Sequence, residues 1–173
     1  MKSLLILRAG GFGHMIKETA QVLGYEEIVF LDDMVKEDDV IGMCCDYVIK
    51  HEDYPVAVAA FGNNKTRLFW TDKLLEEGYE VPAIVHPSAV VSPSVTLEPG
   101  CFIMQRSVVN TNTKIERAAL VNSGAVVDHN SVVCAGAHVG LGSVVKANCT
   151  IESGRKVEAG EVIFSTRRKI EGV

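Results

Sequence analysis

Two histidines, His129 and His138, stand nine residues apart in VVDHNSVVCAGAHVG (126–140), a stretch otherwise made mostly of small and apolar residues. An unperturbed imidazole titrates near pH 6.5, so a histidine suits general-base work at neutral pH, best where a carboxylate or carbonyl fixes its tautomer. A metal pair is a second reading, but no further His or Cys has ligand spacing, so no metal is expected. Cys134 lies between the two rings and invites a Cys–His nucleophile. The surrounding pattern also tolerates cysteine as a small hydrophobe.

Three shorter stretches stand out at strand ends and a helix start. RAGGFGH (8–14) supplies Gly10, Gly11, Gly13 and His14 after an apolar run; LDD supplies Asp32 and Asp33; FGNNKTR (61–67) supplies Gly62, Asn63, Asn64 and Arg67. Glycine turns at strand ends feed helix N-termini, where backbone N–H groups converge on anions. Each stretch has a plainer reading as a tight turn, a loop or a helix cap.

The elements that must position these residues fall into two kinds. Residues 2–7, 27–33, 55–62 and 79–85 read as strands; 14–25 and 63–78 read as helices. Strands alternating with helices predict a small Rossmann-like parallel sheet over residues 1–84. Beyond it, every sixth residue from Val85 to Ile163 is Val, Leu or Ile, fourteen in all. At ~30% frequency for these residues, chance gives that run about once in ten million segments, so the period is a real signal. Positions two earlier, from Ala83 to Cys149, are small or β-branched. One aliphatic and one small inward position per hexad is the signature of a parallel β-helix, here of a little over four triangular coils across 85–163, followed by a tail, 164–173. A β-sandwich does not predict a strict period of six. In this register His129 and His138 point out of the prism, so any ligand sits on an outer face and a neighbouring subunit supplies the other wall.

Composition narrows the classes of function. Net charge is −5 with no basic block, which argues against nucleic acid. No apolar run reaches the ~20 residues of a membrane span, and the first apolar run is too short for a signal peptide. Five cysteines, odd in number and without CxxC spacing, fit free thiols in the cytoplasm.

The hexads resemble those of the left-handed β-helix acyltransferases, and the whole layout resembles their subfamily of sialic acid O-acetyltransferases and UDP-4-amino-sugar N-acetyltransferases of bacillosamine synthesis. The resemblance implies a homotrimer with sites between subunits, acetyl-CoA as acyl donor and a nucleotide-linked amino sugar or related sugar as acceptor. It places His129 as catalytic base with Asp128 beside it. It places Asn122 and His138 at the donor, with Gly140 and Gly142 where the pantetheine arm passes and backbone N–H groups near Gly142 facing the thioester oxyanion. It places Gly10, Gly11, Gly13, His14, Asp32, Asp33, Gly62, Asn63, Asn64 and Arg67 at the sugar nucleotide. Four departures stand out. Arg8 replaces a glycine, Phe12 replaces a histidine, and Asn130 replaces the acidic residue of the bacillosamine branch. The C-terminal Gly-x-Pro-Ala motif is missing, leaving Arg167, Arg168 and Lys169 to meet CoA phosphates by charge. A non-catalytic or weakly active trimeric sugar-nucleotide-binding relative is the alternative function.

Overall fold

The computed structural model describes residues 2–164. It begins with three parallel strands, β1 (Ser3–Leu7), β2 (Glu27–Leu31) and β3 (Ala57–Ala59), in the order β2-β1-β3. β1 reads SLLIL because both its faces are covered, as parallel strands require. Leu4, Ile6, Phe30 and Val58 face one apolar layer; Leu5, Leu7, Leu31 and Ala59 face another with Leu74 and Tyr79.

Helix α1 spans Gly11–Val22, three residues earlier at each end than the sequence reading. The cause lies in the glycines, which were read as turn formers. A Cβ on Gly13 would fall 2.0 Å from the Arg8 carbonyl oxygen, so the first helical turn lies against the end of β1 only because that side chain is missing. Arg8 itself carries φ +88, a region that favours glycine. A 3₁₀ turn (Cys44–Asp46) and α2 (Tyr47–Lys50) follow β2, and neither was expected. Helix α3 spans Asn64–Glu77, with Asn63 capping it through the Thr66 N–H (3.0 Å) and Gly78 closing it at φ +94. The expected strand 79–85 is broken at Pro82: Glu80 only bridges Val56, and Ile84–Val85 already belongs to the next unit.

That unit is a left-handed parallel β-helix. Its first face stacks Ile84–Val85, Phe102–Ile103, Leu120–Val121, His138–Val139 and Lys156–Val157. The second stacks Val90–Val91, Val108–Val109, Val126–Val127, Val144–Val145 and Val162–Ile163. The third stacks Thr96–Leu97, Lys114–Ile115, Val132–Val133 and Thr150–Ile151. The aliphatic hexad positions fill the axis together with small residues such as Cys101, Ala119, Ala125 and Ala137. Successive coils repeat every 18 residues (Val126 pairs with Val144), and corner residues such as Asn130 and Gly142 turn at φ +55 and +61.

Outward residues of the first face form one column: Ile84, Phe102, Leu120, His138, Lys156. The first three are buried under the α/β unit, with Phe12 meeting Phe102 edge-on (5.2 Å). The last two lie beyond its edge. The second face carries outward valines alone, Val90, Val108, Val126, Val144 and Val162, from 62% exposed at one end to 42% at the other. Among the described residues no helix is long and apolar enough to cross a membrane.

Candidate active site

The expected donor residues meet at the corner between the first and second faces. Asn122, His138 and Gly140 line a cleft of about 200 Å³ with Lys156 and Glu158. Asn122 Oδ1 accepts the Ser123 N–H (2.8 Å), which turns its Nδ2 toward His138 Nε2 (3.1 Å). The Asn122 amide then donates to Nε2, so the neutral ring carries its proton on Nδ1 and offers a donor, not a lone pair. Burial, followed by the positive charges of Arg67 and Lys156, pushes His138 down to about 4. His138 is therefore neutral at working pH but a weak proton acceptor, with the lone pair on Nε2 already taken by Asn122.

A stability consequence follows. The unfolded ring takes up its proton near pH 6.5 and the folded ring only near 4, so the unfolded state binds protons first as pH falls. The His138 contribution is complete above pH ~6.5 and declines from there toward pH 4. His138→Gln, which cannot titrate, is expected to flatten melting temperature against pH in that window, a scan that differential calorimetry performs directly.

Gly140 and Gly142 turn out to be structural as well. A Cβ on Gly140 would lie 2.4 Å from the Val157 carbonyl oxygen of the next coil. The Gly140 N–H donates to Val157 (3.1 Å) and the Gly142 N–H to the Ser123 carbonyl (3.0 Å). Of the backbone N–H groups expected to face the oxyanion near Gly142, those of Gly140 and Gly142 are engaged in coil-to-coil bonds.

His129 sits at the other edge of the valine face, at the corner between the second and third faces, and is exposed. Asp128 does not touch its imidazole. One carboxylate oxygen of Asp128 accepts the His129 main-chain N–H (2.8 Å) and the Asn110 Nδ2–H (3.1 Å), and these bonds hold its pKa below the usual carboxylate value. The ring is met instead by Asn130, whose Nδ2 lies 2.9 Å from His129 Nδ1. The carboxylate fixes the loop, and the amide meets the ring.

Gly62, Asn63 and Asn64 line a second cleft, about 280 Å³, at the start of α3 with Lys65, Gly154 and Lys156. Lys156 borders both clefts, so the α3 cleft and the His138 cleft adjoin. The sequence reading missed Lys156, although one coil of 18 residues past His138 would have found it. Two expected contacts take other parts. Arg67 is 0% exposed, and its guanidinium donates to the carbonyls of Phe61, Ala118 and Gly136 and to Asn64 Oδ1, so it fastens α3 to two coils instead of facing solvent. Asn64 also donates to the Gly154 carbonyl (3.0 Å).

Asp32 is 4% exposed and accepts from Arg8, Ala9, Met34 and Val35. Its hydrogen-bonding capacity is largely occupied by its own chain, and these backbone bonds, with the Arg8 charge, lower its pKa against the opposing effect of burial. Asp33, accepting the Cys44 N–H (2.8 Å), lines a cavity of about 430 Å³ with Asp32, Lys36, Glu37 and Met43. His14 faces Glu37 across 3.4 Å, and Gly10 caps α1, which Gly11 opens. Cys134 has its thiol pushed up by burial and by Glu116, the wrong direction for a nucleophile. Among the described residues no group of three or more His, Cys, Asp or Glu is placed to hold a metal ion. Arg167, Arg168 and Lys169 lie outside the described residues.

Comparison with known proteins agrees with this layout. Residues 3–74 match the family described as the PglD N-terminal domain. PerB from Caulobacter crescentus, solved in complex with CoA and GDP-perosamine, is 28% identical with a TM-score of 0.81, covering 95% of this chain and 89% of that one. The acetyltransferase domain of PglB from Neisseria gonorrhoeae is 29% identical with a TM-score of 0.73, covering 95% and 92%, and has also been solved with acetyl coenzyme A. WeeI from Acinetobacter baumannii shares the fold at 15% identity and a TM-score of 0.51, covering 96% and 98%. The resemblance read from the hexads and glycine turns is borne out: the chain is similar to sugar acetyltransferases of the hexapeptide-repeat type and has their left-handed β-helix fold, matches that support an acyltransferase.

Proposed function

We propose that this protein moves the acetyl group of acetyl-CoA onto an amine of a nucleotide-linked amino sugar, in a homotrimer whose sites lie between subunits. The solved relatives with CoA, acetyl-CoA and GDP-perosamine support the donor and the acceptor class, and one of them is a perosamine N-acetyltransferase. A sugar hydroxyl is the alternative acceptor. Residues 1–84 hold the sugar nucleotide and 85–163 the donor. Five cysteines without a disulfide suit a cytoplasmic setting.

The observation that carries this reading is the placement of the two working corners on opposite edges of the valine face. Even three extended residues between them, at ~3.3 Å each, leave His129 and the His138 cleft of one chain about 10 Å apart. Proton transfer needs about 3 Å. A column of five part-exposed valines is also an unusual surface for a lone chain. Three copies packed through this face cover the valines and bring the His129 corner of one subunit to the donor cleft of the next.

In that composite site the acceptor nitrogen attacks the thioester carbonyl carbon. Its proton passes to His129 Nε2, the C–S bond breaks, and the imidazolium returns the proton to the departing CoA sulfur. The His138 Nδ1–H is the donor left for the carbonyl oxygen as negative charge grows there. Lys156, beside both clefts, attracts phosphate.

Mixed trimers test this arrangement. One subunit carries His129→Ala, the other Asn122→Ala with His138→Ala, and the two are co-expressed under different tags. Neighbour pairing restores an intact site in about a quarter of contacts at equal mixing. Thiol release from acetyl-CoA with an amino-sugar nucleotide should therefore recover to that level, while neither parent trimer is active. Mixed trimers as inactive as both parents would disprove a shared site. A wild-type protein that neither binds acetyl-CoA in calorimetry nor releases thiol would support the non-catalytic alternative.

A further inference from the structure

The corner that carries His129 is built from a ladder of side chains one coil apart. Asn112 and Asn130 both turn at positive φ, +56 and +55, where asparagine is tolerated. Asn112 Nδ2 donates to Asn130 Oδ1 (3.3 Å), and the Asn112 N–H donates to Ser94 Oγ (3.0 Å) one coil earlier. With its oxygen facing Asn112, Asn130 presents Nδ2 to His129 Nδ1 at 2.9 Å. An amide N–H there requires a lone pair on Nδ1, so the proton of the neutral ring is on Nε2. The Asp128 carboxylate accepts the His129 main-chain N–H and leaves the ring nitrogens to Asn130. A carboxylate at position 130 could only accept, and would hold the proton on Nδ1.

We infer that Asn130 is a positioning residue that holds resting His129 as its Nε2–H tautomer, under direction from Asn112, and that turnover waits on reversal of this ladder. The inference rests on the reading of His129 as the base. To accept a proton at Nε2, the ring must first release the one there and take one at Nδ1. Asn130 then turns its amide so that Oδ1 accepts from Nδ1–H, and Asn112 turns to offer Oδ1 to Asn130 Nδ2. No atom is gained or lost. One proton exchanges with solvent and two amides rotate.

Two acid-for-amide variants separate this from a general charge effect. Asn130→Asp keeps the bond from Asn112 and accepts Nδ1–H directly. Asn112→Asp can only accept, so it draws Asn130 Nδ2 away and turns Asn130 Oδ1 toward the ring without touching it. ¹⁵N spectra of histidine-labelled trimer, without substrate, should show wild-type His129 protonated on Nε2 and both variants protonated on Nδ1. kcat/KM should rise about tenfold in Asn130→Asp, a small part of the ~10⁴ by which the reverse exchange lowers turnover in the serine-protease triad. Wild-type His129 already protonated on Nδ1, an unchanged spectrum in both variants, or an unchanged kcat/KM in Asn130→Asp would each overturn the inference. Full turnover by His129→Ala would instead overturn the base assignment, and the tautomer measurement on resting protein keeps the two failures apart.

Discussion

Replacing His129 with alanine is expected to lower kcat for acetyl transfer by about 10²–10⁴, the usual contribution of a positioned general base. Acetyl-CoA affinity should change far less than kcat, because the cleft that takes the donor is lined by Asn122, His138, Gly140, Lys156 and Glu158, and His129 of the neighbouring subunit serves the acceptor's proton. The fold should hold as well. What fixes this corner is the Asp128 carboxylate on the residue 129 main-chain N–H (2.8 Å), and that bond survives the substitution. The ring itself is exposed and contributes little packing. Melting temperature is therefore expected within a degree or two of wild type, the range usual for a surface change of under ~0.5 kcal/mol. Stopped-flow thiol release beside calorimetric titration of acetyl-CoA reads both numbers. A kcat within threefold of wild type would remove His129 from the chemistry.

The sequence pattern reports direction better than it reports occupancy. Fourteen aliphatic positions at a period of six set the inward side of every coil, and the same register turned His129 and His138 outward. Stepping by 18 from each site residue would have supplied the neighbours that matter: Asn110 under Asp128, Asn112 under Asn130, Lys156 above His138. Donors already engaged are another matter, because nothing in a hexad says which amides its neighbouring coil takes. Gly142 looked like an oxyanion donor, and its N–H belongs to Ser123. Asp32 and Arg67 were expected at the sugar nucleotide because LDD and FGNNKTR resemble stretches of the acetyltransferases, and a resemblance of motif does not say which groups the fold itself engages. Part of what engages them lies far off in the chain, Arg8 24 residues from Asp32 and Gly136 69 residues from Arg67, beyond any local pattern. The start of α1 was misplaced for a related reason: a glycine can serve a turn or a close approach, and only the Arg8 carbonyl beside Gly13 tells which.

Arg67 carries the largest expected effect on stability, and it separates the two roles open to it. Its guanidinium bonds Ala118 (2.8 Å) and Gly136 (2.9 Å), carbonyls one coil apart, as well as Phe61 (3.0 Å) and Asn64 (3.1 Å) at the start of its own helix. Burial lowers its pKa to about 10, so it stays charged at neutral pH. Arg67→Met fills much of the volume but leaves three carbonyl oxygens without their donor, two of them on coils covered by α3. At ~1–3 kcal/mol for each buried group left unsatisfied, partly offset by the apolar side chain, the loss comes to about 3–5 kcal/mol. For a chain of this size that lowers the melting temperature by on the order of 10 °C. Arg67→Lys should recover less than half, since one ammonium cannot reach both coils and the helix start in the planar fork of a guanidinium. Because Asn64 and Gly62 border the α3 cleft, the melt should be accompanied by weaker sugar-nucleotide binding as the start of the helix loosens. A direct ligand contact behaves differently: KM for the sugar nucleotide rises while the melting temperature stays within 2 °C or so of wild type. Calorimetric melts of both variants, read beside KM, decide whether Arg67 is the bolt between the two units or a group that the substrate touches.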